Sequence, residues 1–400
     1  MSAPRFALQE GIGVIGSVNQ ETFACLALSL IPGLGRKKIR WLIETFGTAG
    51  RVLEAPEESL RKCGLGLSAV ASIFAGDALR EAEAEAVRAR KVGVEVISAY
   101  DERFPPLLEE IQDQPITLYC LGDVTSLAGP NVAVVGSRNC SIYGREVSRK
   151  FSLELARSGL TIVSGLARGI DSAAHLGAVE VNGRTIGVLG CGIDVVYPRE
   201  NRKLFARVRE SGCLISEFPM GTYPAPRNFP VRNRLISGLS YGTVISEATE
   251  FSGSLITARL SLDQNREVWA IPGNITSPRS YGPNSLIQQG ARPALSPQDV
   301  LDDLPLRVLM SLKERAEPDQ TPQLSASEKK ILKLLALDRA LHIDWIVEQI
   351  EMKPERLTAI LLDLDRKGLI RQLPGKRFAR MLHTPTVFGT RAQVKSFRFH

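Results

Sequence analysis

The chain has 400 residues, of which 50 are lysine or arginine and 43 are acidic, giving a formal net charge of +7. This length predicts two or three domains with a substantial core. Hydrophobic residues make up 44% and charged residues 23%, which is typical of globular proteins and excludes a disordered or fibrous chain. The small basic excess favours an anionic partner without identifying one.

The cysteines give no sign of a disulfide framework or a zinc site. They form no CxxC pair and no Cys/His ligand spacing. Scattered thiols fit a reducing cytosol. No signal peptide is visible, and no apolar run approaches the roughly 20 residues that cross a bilayer, so we expect a cytoplasmic protein. The six cysteines are Cys25, Cys63, Cys120, Cys140, Cys191 and Cys213.

The N-terminal part of the chain has a helical pattern from Glu21 to about Ala89. Before it, residues 11–16 match GxGxxG, but no strand precedes them, so we interpret them as a flexible lead-in. The charged residues of the segment from Glu81 to Lys91 predict a helix face that is exposed to solvent. We assign residues 1–100 to a helical domain and residues 101–126, which include a short strand before the main domain, to a connector.

Two segments of this helical domain resemble each other. Ile31–Ile39 and Cys63–Ile73 each contain an apolar residue, a Gly-x-Gly turn and a helix start, which predicts tandem helix-hairpin-helix motifs. Turn amides and a helix N-terminus can hold a DNA phosphate, and Arg36, Lys37 and Lys38 support this in the first copy only. A packing module that does not touch DNA explains the pattern equally well.

The central segment, residues 127–304, alternates apolar strands with helical stretches. This order predicts an α/β domain with a doubly wound, parallel sheet. The strand candidates are Val132–Val135, Thr161–Val163, Thr185–Leu189, Leu214–Ser216, Thr243–Ser246 and Glu267–Ile271. The helical stretches lie near Gly144–Ser158, Ser172–Asn182, Arg199–Ser211, Val231–Ser240 and Ser254–Gln264.

Small and basic residues follow the strands of this segment. Because ligands of open α/β sheets bind outside the carboxyl ends of the strands, these turns are candidate anion sites. Arginine supplies a planar fork matched to phosphate, and a Ser-Gly-Ser turn at a helix start supplies free amides and a favourable dipole. The candidates are Gly136, Ser137 and Arg138 after the first strand, Gly165 and Arg168 after the second, and Ser252, Gly253 and Ser254 after the fifth.

The polar loop at residues 218–234 combines cations with aromatic rings. Single-stranded nucleic acid uses this mixture, because cations hold its backbone and bases stack on ring faces. Alternatively, the phenylalanine fills the core and the arginines cap helices or pair with Glu217 and Glu247. The loop contains Tyr223, Arg227, Asn228, Phe229, Arg232, Asn233 and Arg234.

The sequence lacks the motifs of common nucleotide cofactors. The first strand is followed by GSRNCS rather than GxGxxG, and no Walker A lysine motif occurs, which argues against NAD and ATP as ligands. We predict no cofactor and no metal. An alternative function is a nucleotide or phosphoribosyl hydrolase, with acid–base groups drawn from Asp171, His175, Glu217 and Glu247. In the interpretation that we favour, Asp171 caps a helix and the glutamates position arginines.

The C-terminal part of the chain predicts a linker, residues 305–323, and a winged helix, residues 324–382. Three helices, Ser327–Ala336, Ile343–Ile350 and Pro354–Lys367, precede a hairpin around Pro374-Gly375. The third helix could bind duplex DNA, which would make the protein a duplex-binding regulator. Alternatively, the winged helix could contact another protein. The sequence leaves both alternatives open. Residues 383–400 form a tail that we expect to be loosely attached.

The order of the central motifs resembles the DprA/Smf DNA-processing proteins. The resemblance rests on GSR, SGLARGIDSAAH, GCGIDVVYPRENRKLF, SEFPMGTYPAPRNFPVRNRLISGLS and EATEFSGSLITA. It covers residues 127–304 closely and extends, through less specific motifs, to the helical N-terminal domain (SAM-like) and the winged helix.

The resemblance implies an extended Rossmann-like core that binds single-stranded DNA without sequence preference. It further implies a homodimer that loads the recombinase RecA onto single strands, displaces single-strand-binding protein and acts in natural transformation, without being an enzyme. Carried onto this chain, the DNA pocket falls on Gly136, Ser137, Arg138, Gly165, Arg168, Phe229, Arg232, Asn233 and Arg234.

Overall fold

The computed structural model describes residues 19–312, 324–335, 340–350, 352–367 and 369–380. The GxGxxG match at residues 11–16, most of the predicted linker and the predicted tail lie outside these ranges. Among the described residues, no helix is both long enough and apolar enough to cross a membrane.

Six helices form the N-terminal helical module. Glycines with positive φ, Gly33 at +80° and Gly64 at +73°, make the turns that join α1 to α2 and α4 to α5, so the structure contains both predicted helix–turn–helix pairs. The helices are α1 (Gln20–Leu30), α2 (Arg36–Phe46), α3 (Ala49–Glu54), α4 (Glu57–Lys62), α5 (Leu67–Phe74) and α6 (Asp77–Lys91).

A nine-stranded sheet occupies the centre of the molecule, in the spatial order β1-β2-β6-β5-β4-β3-β7-β8-β9. The strands from β3 to β9 run parallel, and β2 pairs antiparallel with both β1 and β6. The strands are β1 (Glu95–Ser98), β2 (Thr117–Gly122), β3 (Asn131–Val135), β4 (Thr161–Ser164), β5 (Thr185–Leu189), β6 (Gly212–Ser216), β7 (Gly242–Ile245), β8 (Glu267–Ala270) and β9 (Arg292–Pro293).

The predicted doubly wound, mostly parallel sheet is confirmed, and its switch point lies at β3. The chain moves from β3 to β4 on one side and returns later to place β7 on the other side. The sheet also begins earlier in the chain than the predicted core at residue 127, because β1 lies in the predicted helical domain and β2 in the predicted connector. Hydrogen bonding to β6 places β2 in the main sheet.

Helices cover both faces of the sheet. Alternate residues of β3 divide between the faces: Val132 and Val134 pack with α8, α9 and α14, whereas Ala133 and Val135 pack with α7, α11 and α12. The helices are α7 (Pro106–Glu109), α8 (Ile142–Arg157), α9 (Ile170–Glu180), α10 (Arg202–Ser211), α11 (Asn228–Gly238), α12 (Gly253–Asp263), α13 (Tyr281–Gln288), α14 (Pro297–Asp302) and α15 (Leu306–Ser311).

The N-terminal helical module shares one apolar core with part of the sheet. Its helices pack in the same cluster as Tyr119 of β2, Leu214 of β6 and Val208 of α10. The module therefore has no core of its own that is separate from the central domain.

The C-terminal residues form the predicted winged helix, with a separate core that includes Ile346, Leu361 and Phe378. Its three-stranded sheet has the order β10-β12-β11. Helix α15 packs its buried Val308 against the central domain, so the start of the predicted linker is helical. The elements are α16 (Ala326–Leu334), β10 (Leu341–His342), α17 (Ile343–Ile350), α18 (Pro354–Arg366), β11 (Ile370–Leu373) and β12 (Arg377–Arg380).

Candidate nucleic-acid interface

An open cleft of about 710 Å³ lies at the carboxyl ends of the parallel strands, beside the switch point. Its floor begins with Gly136, Ser137 and Arg138, directly after β3. The amide of Ser137 donates to the carbonyl of Glu247 at 2.6 Å, which ties this turn to the segment after β7. At Gly169, φ is +76° and a Cβ would lie 2.3 Å from the Ser137 carbonyl oxygen, so only glycine fits beneath the turn.

Helix α11 forms one wall of the cleft. It begins at Asn228, three residues before the predicted start, so Phe229 belongs to the helix and not to the preceding loop. Phe229, Arg232, Asn233 and Ile236 all line the cleft. Their spacing of three and four residues places them on one helical face.

Arg138 lies over the ring of Phe229, with its guanidinium carbon 5.0 Å from the ring centre. The ring of Tyr197 lies on the same phenylalanine, with 5.6 Å between centroids and an angle of 30°. Arg138 is exposed and has no carboxylate partner among the described residues. A stacked guanidinium without an acidic partner presents its charge and its donors to a ligand in the cleft.

Arg232 is buried beneath this stack. It donates to the carbonyl oxygens of Gly165, at 2.7 Å, and Val188. A Cβ on residue 165 would lie 2.4 Å from its Nη1, so Gly165 makes room for the guanidinium. Burial lowers the pKa of Arg232 to about 10, while the nearby Asp171 opposes this shift.

Asp171, also in the cleft, accepts hydrogen bonds from the amides of Gly165 and Ala167 at 3.2 and 3.4 Å. Burial raises its pKa, and the charge of Arg232 and these backbone hydrogen bonds oppose the shift. The carboxylate therefore holds the turn after β4 in place.

Arg168 is exposed at the rim of a smaller pocket that adjoins the cleft. Its guanidinium pairs with Glu200, which follows the cis Tyr197-Pro198 peptide. The hydrogen bond that Arg168 donates to Glu200 raises the pKa of Arg168. Because both side chains are exposed, the pair contributes little to stability. Arg168 can therefore exchange Glu200 for another anion.

The predicted serine turn lies beside α11 in the lining of the same cleft. Ser252, Gly253 and Ser254 all line the cleft, and the side chain of Ser252 caps α12 by accepting from the Ser254 amide at 3.4 Å. Asn233 of α11 reaches the carbonyl of Gly253 at 3.4 Å. The structure thus brings the predicted turn, the GSR turn and the face of α11 around one space.

Arg234 lies apart from this group. It is two residues from Arg232, so it points away from the cleft face of α11. Its guanidinium contacts Glu217 at 2.6 Å and Asp113 at 3.3 Å. Burial lowers its pKa, and the charge of Glu217 opposes the shift. Of the nine pocket residues carried over by resemblance, Arg234 is tied into an ion network and does not line the cleft.

The four candidate acid–base groups do not converge. Glu247 accepts from the amide of Ser141, at 2.7 Å, and from its hydroxyl at the start of α8, and Glu217 pairs with Arg234. His175 is buried beside Thr185 at 2.7 Å, and burial lowers its pKa to about 3. Only Asp171 lines the cleft.

The basic residues of the first hairpin are mostly engaged within the protein. Arg36 pairs with Asp113, and Lys38 donates to the Cys63 carbonyl and lies 4.1 Å from the ring centre of Trp41. Lys37 remains exposed. No group of three or more potential metal ligands occurs among the described residues.

The family model of DNA recombination-mediator protein A matches residues 95–305, which is over half of the chain. The chain belongs to the DprA/Smf family. The DprA winged helix domain matches residues 315–376. The DprA/Smf core match begins at β1, so it includes both antiparallel strands.

Named DprA/Smf relatives are similar over most of the chain. Protein Smf of Escherichia coli is 41% identical over 291 residues, which cover 70% of this chain and 76% of the relative. DNA processing protein DprA of Bacillus subtilis is 43% identical over 219 residues, covering 54% and 74%. The crystal structure of DprA from Streptococcus pneumoniae superposes with a TM-score of 0.63 at 34% identity, covering 72% of this chain and 99% of that one.

Two tyrosines of this DprA/Smf cleft were not among the nine predicted pocket residues, although Tyr223 was named in the polar loop. Tyr197 stacks on Phe229, and Tyr223 is 77% exposed on the cleft wall. Tyr197 lies eight residues after the end of β5, so its place beside Phe229 had no positional signal of the kind that marked the GSR turn. Tyr223 was visible in the sequence as an aromatic residue beside the arginines.

Proposed function

We propose that this chain binds single-stranded DNA in the cleft, without sequence preference. One observation carries the proposal: Arg138, which lacks an acidic partner among the described residues, is stacked on Phe229 inside the cleft. A cation on an aromatic platform provides the two contacts that a single strand needs, one for the phosphate and one for the base.

The lining of the cleft suits the two parts of a nucleotide. Tyr223 and Phe229 supply aromatic rings, and the turn at residues 252–254, which starts α12, supplies amides and hydroxyls. Ring faces stack on unpaired bases, which a duplex does not offer, and the serine turn suits a phosphate. These contacts involve faces and backbone atoms rather than base edges, so they favour no particular sequence.

The wider activity is proposed from family membership. As a member of a family whose relatives are named for DNA processing, the chain would protect and process incoming DNA in natural transformation and recombination, without being an enzyme. It would act as a homodimer, displace single-strand-binding protein and load RecA onto the strand. The engagement of Glu217, Glu247 and His175 within the protein supports a non-catalytic cleft.

Fluorescence-polarisation binding to a labelled single strand and to the matching duplex, across a salt series, tests DNA binding. We expect a clear preference for the single strand, and weaker binding as the salt concentration rises, because phosphate contacts release counterions. Phe229→Leu removes the ring on which Arg138 is stacked, so it should weaken single-strand binding by about 1 kcal/mol. A preference for the duplex, or no binding to either, would contradict the proposal.

RecA loading has a separate test. We expect the full chain to accelerate RecA filament formation on a single strand coated with single-strand-binding protein, measured by RecA ATP hydrolysis. Arg138→Ala should remove the acceleration. If wild-type protein binds the strand but gives no acceleration, the loading role is contradicted and strand binding stands.

A further inference from the structure

A buried glutamate joins the N-terminal helical module to the cleft. Glu85 lies on α6, within a run that the sequence predicts to be solvated. Its neighbours Glu81 and Glu83 are exposed as predicted, but Glu85 is completely buried. Taking a carboxylate out of water is costly unless it is paired and hydrogen-bonded, so its contacts identify its role.

Glu85 contacts three different parts of the chain. Its Oε1 accepts the backbone N–H of Met220 at 2.7 Å. Its Oε2 pairs with Arg88 on the same helix. Tyr119, on β2, lies beside it, and burial followed by the charge of Glu85 raises the pKa of this tyrosine. The contact with Met220 spans 135 residues of sequence.

Met220 lies in the loop that carries an aromatic residue into the cleft. We define the aromatic loop as residues 217–227, between β6 and α11. The next amide, of Gly221, donates to Asp194 at 2.8 Å, and the carbonyl of Thr222 accepts from the Gly192 amide at 3.0 Å. Tyr223 follows directly and projects into the cleft with 77% exposure.

We propose that Glu85 is a positioning residue for DNA binding, through which the N-terminal helical module holds the aromatic loop and presents Tyr223 to a single strand. The inference rests on the proposed function, because single-stranded DNA is the ligand whose binding the positioned Tyr223 would strengthen. It assigns to the module a role in the cleft that requires no DNA contact by the helix–turn–helix pairs.

The physical effect is preorganisation. If the Met220 amide loses its acceptor, the loop gains conformations in the free protein, and binding must then order it again. The affinity for a single strand falls although every residue that lines the cleft is still present. The loss should involve Tyr223, because the Glu85 contact lies three residues before it.

A pair of substitutions isolates the hydrogen bond. Glu85→Gln keeps an acceptor for the Met220 amide, whereas Glu85→Met keeps a similar volume and removes the acceptor. Methionine brings no polar atom of its own into this buried position, so the variant removes the acceptor of the Met220 amide without adding a new buried polar group. Glu83→Ala, on the exposed side of the same helix, is the matched control.

Hydrogen exchange of the full-length protein, without DNA, tests directly whether Glu85 restrains the aromatic loop. In Glu85→Met, we expect the peptide covering residues 218–224 to exchange faster than in wild type, with Glu85→Gln and Glu83→Ala close to wild type. Unchanged exchange in Glu85→Met would overturn the proposal. Because no DNA is present, this result is independent of whether the cleft binds a strand.

Binding to a labelled single strand tests the consequence. Glu85→Met should weaken binding about fivefold, within the range expected for one base-stacking contact. In a Tyr223→Ala background, the same substitution should weaken binding less than about twofold, since coupled residues are not additive. An equal loss in both backgrounds would show that Glu85 acts through general stability and would overturn the proposal. If wild type does not bind, the proposed function fails and the exchange result stands alone.

Discussion

The two sides of helix α11 both contain buried arginines, but their surroundings differ. On the cleft side, Arg232 donates to backbone carbonyls, and Arg138 nearby has no acidic partner among the described residues. On the opposite side, Arg234 is held by Glu217 and Asp113, and Asp113 also binds Arg36. One side presents positive charge to a ligand, and the other neutralises its charge within the protein.

This difference shows that residue type alone does not identify a nucleic-acid contact. Arg232 and Arg234 are two residues apart and equally buried, at 4% exposure. A binding role follows from the partners that an arginine lacks, and a structural role follows from those that it has. The first two predictions below each perturb one side and measure both stability and binding, and the last two concern ionisable groups elsewhere in the central domain.

The largest effect is expected for Arg234→Ala. Removing this guanidinium leaves Glu217 and Asp113 without their shared partner, which should lower the free energy of unfolding by about 3 kcal/mol. Urea unfolding measures the loss. The folded Arg234→Ala variant should bind a single strand with the same affinity as wild type. A large loss of single-strand affinity with unchanged stability would place Arg234 in the DNA site. The proposed difference between the two sides of α11 would then be wrong.

Arg138→Ala should have the opposite profile. Loss of a charged hydrogen-bond donor should weaken single-strand binding by about 2 kcal/mol, and the slope of affinity against salt should fall by about 0.7 for one phosphate contact. Stability should not change, because the side chain is exposed. Arg227→Ala, which removes an exposed arginine outside the cleft lining, is the control. Equal binding by folded Arg138→Ala and wild type at all salt concentrations would contradict the site.

His175 is a buried basic side chain that differs from both arginines, because it is buried in its neutral form. Its pKa is lowered to about 3 in the folded protein, against about 6.5 when unfolded. Between these values the unfolded state binds more protons, so stability rises with pH, by up to about 1.4 kcal/mol per pH unit. Stability should therefore decline as the pH falls from 6.5 towards 3.

Urea unfolding of wild type and His175→Gln at pH 7.5, 6 and 5 measures this decline. The variant has its own stability at pH 7.5, so the quantity to compare is the change in the free energy of unfolding between pH 6 and pH 5. We expect this change to be smaller in His175→Gln. Equal changes would assign the acid sensitivity to other groups.

The smallest effect is expected for Glu200→Gln. It releases Arg168 from an exposed ion pair, so the arginine becomes available to a phosphate, and single-strand affinity should rise about twofold at low salt. The gain should vanish in an Arg168→Ala background. Weaker binding by Glu200→Gln would mean that the ion pair itself holds Arg168 in its binding position.

The central sheet could be predicted from the sequence because its signal is local. Strands such as β3 and β5 are continuous apolar runs, and each ends in a turn of small residues. Parallel strands place those ends at one edge, so the GSR turn and the serine turn could be assigned to the same site before the structure was available. The early strands β1 and β2 could not be assigned to that sheet, since their pairing depends on β6, about a hundred residues further along the chain.

The sequence by itself determined the alternation of strands and helices, the winged helix, and the residue types that gather at the strand ends. Only the tertiary structure decided which arginine faces the cleft, that Glu85 is buried, and that Tyr197 stacks on Phe229. The reason is physical: hydrophobic periodicity is fixed by neighbours along the chain, whereas the role of a charged or aromatic side chain is fixed by partners that arrive from distant segments.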